Sequence, residues 1–255
     1  MSMAQAMLLA AEVATAPICA ERPGKANAVC TVPAGKWQLE TGIADWSLTR
    51  QAGTRDAVLI LGSSFLKLGL SDTADLEVGV TPFVQATIKQ AGSRSRVSGF
   101  GDVVVRYKHQ LTDKDADLQV AAIPFVKVPT AAHAIGNGKV EGGLAVPVGL
   151  ALGGPVTVTF GPEVDVLADA DGSGRHFGLT NLVSLSVAVA PRVTVGGELW
   201  GNWNLDPAGT VKQASADAAI AYAASNALQL DLGANVGLNR QTPDIELYAG
   251  ASILF

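Results

Sequence analysis

The stretch PDIELYAGASILF, residues 243–255, alternates strictly between apolar residues and residues that are mostly small or polar. Counting back in twos from the last residue gives the apolar set Phe255, Ile253, Ala251, Ala249, Leu247 and Ile245. The interleaved set is Leu254, Ser252, Gly250, Tyr248, Glu246 and Asp244. A period of two predicts a β-strand, because successive side chains of a strand point to opposite faces. One face of this strand therefore needs an apolar environment along its whole length.

The same alternation recurs along the chain, for example in GPVTVTFGPEVDVLAD (154–169) and NALQLDLGANVGLNR (226–240). It predicts about twelve strands, and most have ten residues or more, the length that crosses a bilayer when the strand is tilted. The predicted strands cover residues 36–48, 56–69, 74–88, 97–111, 116–129, 143–153, 155–168, 175–190, 192–204, 214–224, 226–239 and 243–255.

The composition agrees with a membrane protein that has no membrane-spanning helix. Apolar residues make up 48% of the 255 residues and charged residues only 16%, below the quarter or so typical of soluble domains. The apolar residues are spread through alternating segments, and no run of eighteen or more is present, so a transmembrane helix is not expected. A net charge of −5 argues against nucleic acid as a partner.

These features predict an all-β fold, a transmembrane antiparallel up-and-down β-barrel over residues 36–255 in the outer membrane of a Gram-negative cell. Predicted connections alternate between short turns and longer loops, the latter including residues 90–96 and 130–142, as such barrels show. A closed sheet pairs every backbone group, so its apolar face meets outer-membrane lipid and its polar face lines the lumen. Twelve strands enclose a narrow lumen, which either carries a small solute or is partly blocked by the N-terminal segment. A soluble sandwich or lipocalin-like barrel is the alternative, although these polar faces are unusually rich in Gly, Ala and Thr.

The first 35 residues are interpreted as the remnant of a leader or a short periplasmic segment. They hold the only two cysteines, Cys19 and Cys30. In an oxidising periplasm this pair favours a disulfide that closes a small loop. A metal pair, for which further ligands are lacking, and a lipid anchor on Cys19 are the alternatives.

The polar faces of the predicted strands supply the candidate lumen-lining residues, which carry both signs of charge. The candidates for a role in selectivity are Glu77, Asp102, Arg106, Lys108, Lys127, Glu163, Asp165, Glu198 and Asp231. Gln85 and Lys89 fall on the same face by uninterrupted alternation. Because unpaired buried charges are costly, we expect the cations to pair with Glu77 and Asp102 nearby and with Glu163 and Asp165 across the lumen. The pairs either hold a narrow barrel together or select solutes, and no metal or cofactor is expected.

Several motifs resemble a known family. GFGDVVVRYKHQL (99–111) and VAAIPFVKVPTAAHAIGNGKVEGGLAVPVGL (120–150) are similar to outer-membrane transporters associated with meta-pathway phenol degradation, and the resemblance extends over most of residues 36–255. It implies a β-barrel that passes small, often hydrophobic or aromatic, molecules. The C-terminal Phe255 resembles the signal that the barrel-assembly machinery recognises; any strand that closes a barrel also has this pattern.

Two other functions remain at this point: a structural outer-membrane barrel without transport, and a barrel enzyme that modifies lipids. The enzyme needs a Ser-His pair with an orienting carboxylate, and the sequence offers no convincing one. The protein is therefore expected to be a channel or transporter for small molecules and not an enzyme.

Overall fold

The computed structural model describes residues 18–255. All of its strands, between Trp37 and Leu254, belong to a single antiparallel β-sheet. In this part of the chain no helix is long and apolar enough to span a bilayer. The sheet has sixteen strand segments: β1 Trp37–Gln51, β2 Thr54–Ser71, β3 Ala74–Val80, β4 Phe83–Gln90, β5 Ser93–Gly99, β6 Val103–Gln110, β7 Leu118–Val128, β8 Glu141–Ala145, β9 Val148–Ala151, β10 Val156–Phe160, β11 Glu163–Ala168, β12 Arg175–Ala190, β13 Val193–Asn204, β14 Val211–Ser225, β15 Leu228–Gly237 and β16 Ile245–Leu254.

The sheet closes into a barrel because β1 pairs with both β2 and β16. Four pairs of consecutive segments, β3/β4, β5/β6, β8/β9 and β10/β11, each form one strand of the wall. The wall therefore has twelve strands, and the predicted twelve-stranded antiparallel barrel is confirmed. Even the three regions with the weakest alternation, 56–69, 143–153 and 214–224, form wall strands, since closure requires every backbone group to find a partner.

The breaks within wall strands fall at residues 81–82, 100–102, 146–147 and 161–162. Three of the four contain a proline, whose missing N–H cannot contribute to a ladder of hydrogen bonds. Pairing resumes in the same register beyond the break, since β2 pairs with β3 from Ser64 onwards and with β4 up to Leu61. The breaks are therefore local irregularities within continuous wall strands.

The two rims of the barrel differ. We call the rim that holds Trp37 and Phe255 the terminal rim, and the opposite one the far rim. Most far-rim connections are longer, with residues 129–140 the longest. Residues 90–96 do not form the predicted longer loop: β4 and β5 meet in a tight turn at Ala91 and Gly92, where positive φ angles allow the two strands to continue beyond the predicted end.

A bulge in β1 changes which residues face the lumen above it. Gly42 pairs with Gly250 and Ala44 with Ala249, so Ile43 is an extra residue opposite β16. Beyond it, Trp46 lies opposite Leu247, and paired residues point to the same face.

Leu247 is on the outer face, because its neighbours in β16 point inward: Glu246 accepts a hydrogen bond from Asn235 Nδ2 at 2.7 Å, and Tyr248 lies below Arg22. Trp46 is therefore on the outer face as well. β1 pairs with β2, and β2 pairs with β4, and this register places Gln85 and Lys89 on the same outer face as Trp46. The prediction that these two residues face the lumen, which assumed uninterrupted alternation, is thereby corrected.

The distribution of polarity is reversed relative to a soluble protein. Large apolar side chains are exposed on the outer face, among them Leu199 at 62%, Leu232 at 58% and Phe177 at 58%. Lysine side chains are buried inside, with Lys67 at 1% and Lys108 at 0% exposure. A closed sheet of this kind turns its apolar face to lipid and its charges to the lumen.

Candidate functional site: a lumen occupied by the N-terminal segment

The lumen contains residues 19–33, which we call the plug. The plug enters from the terminal rim, where Gly35 N–H donates to Gly69 C=O at 2.8 Å and Val32 N–H donates to Asp75 Oδ2 at 2.9 Å. Gly69 permits this close approach, because a Cβ there would collide with the backbone oxygens of Val32 and Pro33. The chain leading into β1 is thus attached to the wall before it forms a strand.

The predicted disulfide between Cys19 and Cys30 is present and closes the plug into a loop. The Cα atoms of the two cysteines are 5.9 Å apart and eleven positions apart in sequence. Gln38, buried on β1, donates its side-chain N–H to Cys19 C=O at 2.6 Å. The cross-link restricts the conformation of the plug, and the hydrogen bond attaches the plug to β1.

Glu21 joins the plug to three cations of the wall. Its carboxylate lies 3.1 Å from Lys67 Nζ and 2.5 Å from Lys108 Nζ, and it also accepts a hydrogen bond from Arg106. Burial by itself raises the pKa of the Glu21 carboxyl, but the charges of Arg106, Lys108 and Lys67 together outweigh burial and hold its pKa well below the ordinary range. Glu21 is therefore an ionised group in this cluster.

Acids of the wall complete the charge balance of the cluster. Glu40 lies 2.5 Å from Lys67 Nζ, and Glu77 accepts a hydrogen bond from Arg106 Nε at 2.6 Å. Arg106 also donates to Asn27 Oδ1 of the plug at 3.2 Å and lies over the ring of Phe65. Buried charges are tolerated when they are paired and hydrogen-bonded, as they are here.

Arg22 contacts the opposite side of the lumen. Its guanidinium donates two hydrogen bonds to the fully buried carboxylate of Asp231, at 2.8 and 3.1 Å. Gly42 and Gly250 leave room for it, since a Cβ at either position would approach the guanidinium closely. A two-point contact between guanidinium and carboxylate is among the stronger polar interactions in proteins.

Lys25 forms the third attachment. Its Nζ lies 2.7 Å from Asp217 Oδ2 and donates to Ser215 Oγ at 3.1 Å, while its backbone N–H donates to Glu198 at 2.7 Å. The ammonium group is also 5.2 Å from the centre of the Trp200 ring. Glu21, Arg22 and Lys25 thus bind three different parts of the wall, and the plug spans the lumen.

The structure brings together five of the nine predicted lumen residues around the plug. Arg106, Lys108, Glu198 and Asp231 contact it directly, and Glu77 contacts it through Arg106 and the two lysines. Sequence reasoning missed the plug residues that they contact. The available signal was the set of charges between the two cysteines, in the sequence CAERPGKANAVC (19–30).

Lys127 and Asp102 form a second cluster nearer the far rim. Lys127 Nζ lies 3.2 Å from Asp102 Oδ2 and 2.7 Å from Glu141 Oε2. Asp102 also accepts the N–H of Ala131 at 2.8 Å and so attaches the longest loop, residues 129–140, to the wall. Asp102, held by Lys127, therefore helps to fix the position of this loop against the wall.

Three of the nine candidates, Glu163, Asp165 and Glu198, form no ion pair with a cation within residues 18–255. Glu198 instead accepts backbone N–H groups of the plug. Glu163 lines a cavity of about 180 Å³ between the plug and the wall. Most of its other lining residues are apolar or aromatic, including Phe65, Phe125 and Ile123. Arg106 is the second charged group in its wall, and Asn27 of the plug lies at one side. Mostly apolar cavities with a few polar groups are typical of sites for small molecules.

A model of the family described as "Putative MetA-pathway of phenol degradation" matches residues 20–255, which is almost the whole described chain. The chain belongs to this family. The match includes the plug from residue 20 onwards as well as the barrel, so Cys30 lies within it and Cys19 lies one residue before it.

Solved structures of outer-membrane proteins share the fold of this protein. The COG4313 outer membrane channel from Pseudomonas putida F1 superposes with a TM-score of 0.71 at 15% sequence identity, over 91% of this chain and 99% of that one. The NanC porin gives a TM-score of 0.54 at 9% identity, over 85% of this chain and 98% of the porin. No curated protein sequence matches the chain significantly. These likenesses establish an outer-membrane β-barrel fold for the family member.

Proposed function

We propose that the protein is an outer-membrane channel for small solutes and that the plug controls their passage. The observation that carries the proposal is the way in which the plug is held, by polar contacts of Glu21, Arg22 and Lys25 to three parts of the wall. Polar surfaces regain hydrogen bonds from water when they separate, whereas apolar surfaces would not. The plug can therefore leave its place without exposing a hydrophobic core.

Small aromatic or hydrophobic molecules are the proposed solutes. The family description names phenol degradation, and the cavity beside the plug has Phe65 and Phe125 in its wall with the Glu163 carboxylate next to them. The rings offer a surface on which an aromatic solute stacks, and the carboxylate accepts a hydrogen bond from a hydroxyl group.

The terminal rim faces the periplasm in this proposal, since an even number of strands puts both chain ends on one side and the longer loops of such barrels lie outside the cell. The plug then enters the lumen from the periplasm. Lipid surrounds the wall, and the barrel-assembly machinery inserts the chain with Phe255 as its signal. Residues 1–17, to which the predicted leader remnant mostly belongs, lie outside the described residues.

No enzymatic activity is proposed. The fold is that of channels and porins, and all the contacts described above for the lumen charges hold the plug or a loop. A structural barrel without transport is separated from a channel by the uptake experiment below, and a lipid-modifying enzyme by release of fatty acid from phospholipid incubated with the refolded protein.

The test is a liposome-swelling assay with phenol, a sugar and an amino acid as solutes. Asp231→Asn removes the charge that holds Arg22, and breaking one partner of a buried pair costs about 3–5 kcal/mol, so the plug should be released more often. We expect several-fold faster uptake through Asp231→Asn than through the natural protein, with phenol entering faster than a sugar of similar size.

Asp113→Asn is the matched control, because it makes the same chemical change in an exposed connection at the terminal rim. Its uptake rates should equal those of the natural protein. Failure of every solute to enter through either the natural protein or Asp231→Asn would exclude transport. Equal rates for the two proteins would retain the channel but exclude the plug as its control.

A further inference from the structure

Two hairpin tips at the far rim repeat one motif. The β1–β2 tip reads RQAGTR over residues 50–55, and the β4–β5 tip reads KQAGSR over residues 89–94. In both, Ala-Gly forms a two-residue turn with positive φ at each position. Each turn is flanked by cations that are paired across it, Arg50 with Arg55 and Lys89 with Arg94.

The two tips lie side by side, and their cations form one continuous row. Arg55 of the first tip pairs with Lys89 of the second, so Arg50, Arg55, Lys89 and Arg94 follow one another across four adjacent strands. Like charges directly opposite each other destabilise a sheet. A row of four is therefore expected only where an external anion compensates it.

One carboxylate lies at the end of the row, because Asp244 Oδ2 accepts the backbone N–H of Arg50 at 2.8 Å. All four side chains of the row are exposed, and none forms an ion pair within residues 18–255. Arg96, two residues beyond Arg94 on the same face, adds a fifth exposed cation. Apart from Asp244 at the Arg50 end, the row is thus a positive patch without ion-pair partners among residues 18–255.

The row continues into a groove on the lipid-facing side. The register places these cations on the same face as Trp46 and Leu247, the outer face of the barrel. Beneath the cations lies a depression of about 230 Å³ with Trp46, Ala57 and Leu59 in its apolar part and Arg55 and Lys89 at its edge. Tryptophan is typical of the boundary between hydrocarbon and headgroups.

We propose that the two tips bind the phosphate groups of a phosphorylated glycolipid of the outer leaflet. The phosphates lie on the row Arg50–Arg55–Lys89–Arg94, and the upper part of an acyl chain lies on Trp46 and Leu59. Arginine recognises phosphate with two parallel hydrogen bonds, and lysine does so as a point charge. The inference rests on the orientation proposed above, with the far rim outside, but not on transport through the lumen.

The test measures binding of bis-phosphorylated lipid A to the purified full chain in detergent, by native mass spectrometry. The tip variant is Arg55→Gln/Lys89→Gln/Arg94→Gln. The matched control is Lys36→Gln/Lys114→Gln/Arg192→Gln, which removes three exposed cations from the terminal rim and changes net charge equally. We expect at least tenfold weaker binding by the tip variant and unchanged binding by the control.

The proposal predicts three further results. Dephosphorylated lipid A should bind weakly to all three proteins, equimolar inorganic phosphate should not displace the bound lipid, and added salt should weaken binding because the contacts are exposed charges. Equal binding by the tip and control variants overturns the proposal. Retention of the dephosphorylated lipid, or displacement by inorganic phosphate, also overturns it in favour of acyl-chain binding or a free-anion site.

Folding and transport are checked on the same samples. Heat-dependent migration on a gel reports whether the tip variant is folded. If the variant does not fold, the salt dependence of lipid binding by the natural protein still tests the charge contact. Solute uptake by the tip variant should equal that of the natural protein. Loss of lipid binding with normal uptake, or normal lipid binding with no uptake, separates this inference from the proposed channel function.

Discussion

Glu21 is the carboxylate on which the attachment of the plug to β2 and β6 depends, since three wall cations converge on it. Those cations have other acids nearby, Glu40 and Glu77. The plug's other contacts with them are neutral, Asn27 with Arg106 and the Cys30 carbonyl with Lys108. The wall charges are therefore arranged to accept a carboxylate from the plug, and a neutral residue at position 21 would leave cations with less compensation.

The pH dependence of plug attachment follows from the pKa of Glu21. Because that pKa is lowered in the folded state, its contribution to stability is present above the ordinary carboxyl value of about 4.5 and is lost only as pH falls through the lowered value. We expect conductance in planar bilayers to show no Glu21-dependent rise between about pH 7 and about pH 5. Glu21→Gln should raise conductance already at neutral pH.

Comparison of the natural protein with Glu21→Gln isolates this group from other titrating carboxyls. Both proteins should show the same relative change between the two pH values. A rise on acidification that only the natural protein shows would mean that Glu21 titrates in this range, contrary to the cluster of cations around it.

Among the elements, the plug differs from the strands because it has no ladder of backbone hydrogen bonds. Its backbone groups donate instead to wall side chains, for example from Arg22 N–H to Glu40 at 3.1 Å and from Ala26 N–H to Glu198 at 3.2 Å. The Cys19–Cys30 bond restricts the plug backbone, as ladders of hydrogen bonds restrict the strands. Closing a loop of this length is worth about 3 kcal/mol in the chain-entropy model.

Removal of the disulfide should therefore loosen the plug and leave the barrel intact. Trypsin is too large to enter the lumen, so cleavage after Lys25 reports a plug that has left it. We expect Cys19→Ser/Cys30→Ser to be cleaved several-fold faster than the oxidised natural protein, with unchanged heat-dependent migration. Reductant should accelerate cleavage of the natural protein only, and equal cleavage of all samples would contradict a role for the disulfide in holding the plug.

For the whole molecule, closure of the barrel joins the two ends of the wall. Trp37 and Phe255 exchange backbone hydrogen bonds at 2.9 Å, and β1 pairs with β16 along most of its length. The Phe255 side chain is 57% exposed on the barrel surface. Its removal leaves the backbone pairing intact, so barrel closure and the proposed recognition by the assembly machinery can be tested separately.

Phe255→Ala should reduce the amount of assembled barrel in cells several-fold without preventing refolding of the purified chain in detergent. Heat-dependent migration measures the folded fraction in both settings. Leu254→Ala, which removes the neighbouring side chain from the other face, is the control and should assemble normally. A failure of Phe255→Ala to refold when purified would assign the residue to barrel closure instead.

The alternation in the sequence was sufficient to predict the barrel, because a period of two determines which faces are apolar and lipid leaves a sheet no alternative to closure. It also placed the charges that line the lumen, such as Arg106 and Asp231. Their partners could not be predicted, since Arg22 and Asp231 are 209 positions apart and meet only when the barrel has closed around the plug.

The tertiary structure also decided where the alternation reverses. A single bulge at Ile43 places Trp46 on the lipid-facing side, and the unbroken register across β2 and β4 carries Lys89 with it. Periodicity in one strand contains no information about an extra residue relative to its neighbour. The sequence alone therefore determined that this chain is a barrel with a charged interior. Only the closed structure decided that its own N-terminal loop occupies that interior, because the charges on the loop pair with residues on strands that are distant in sequence.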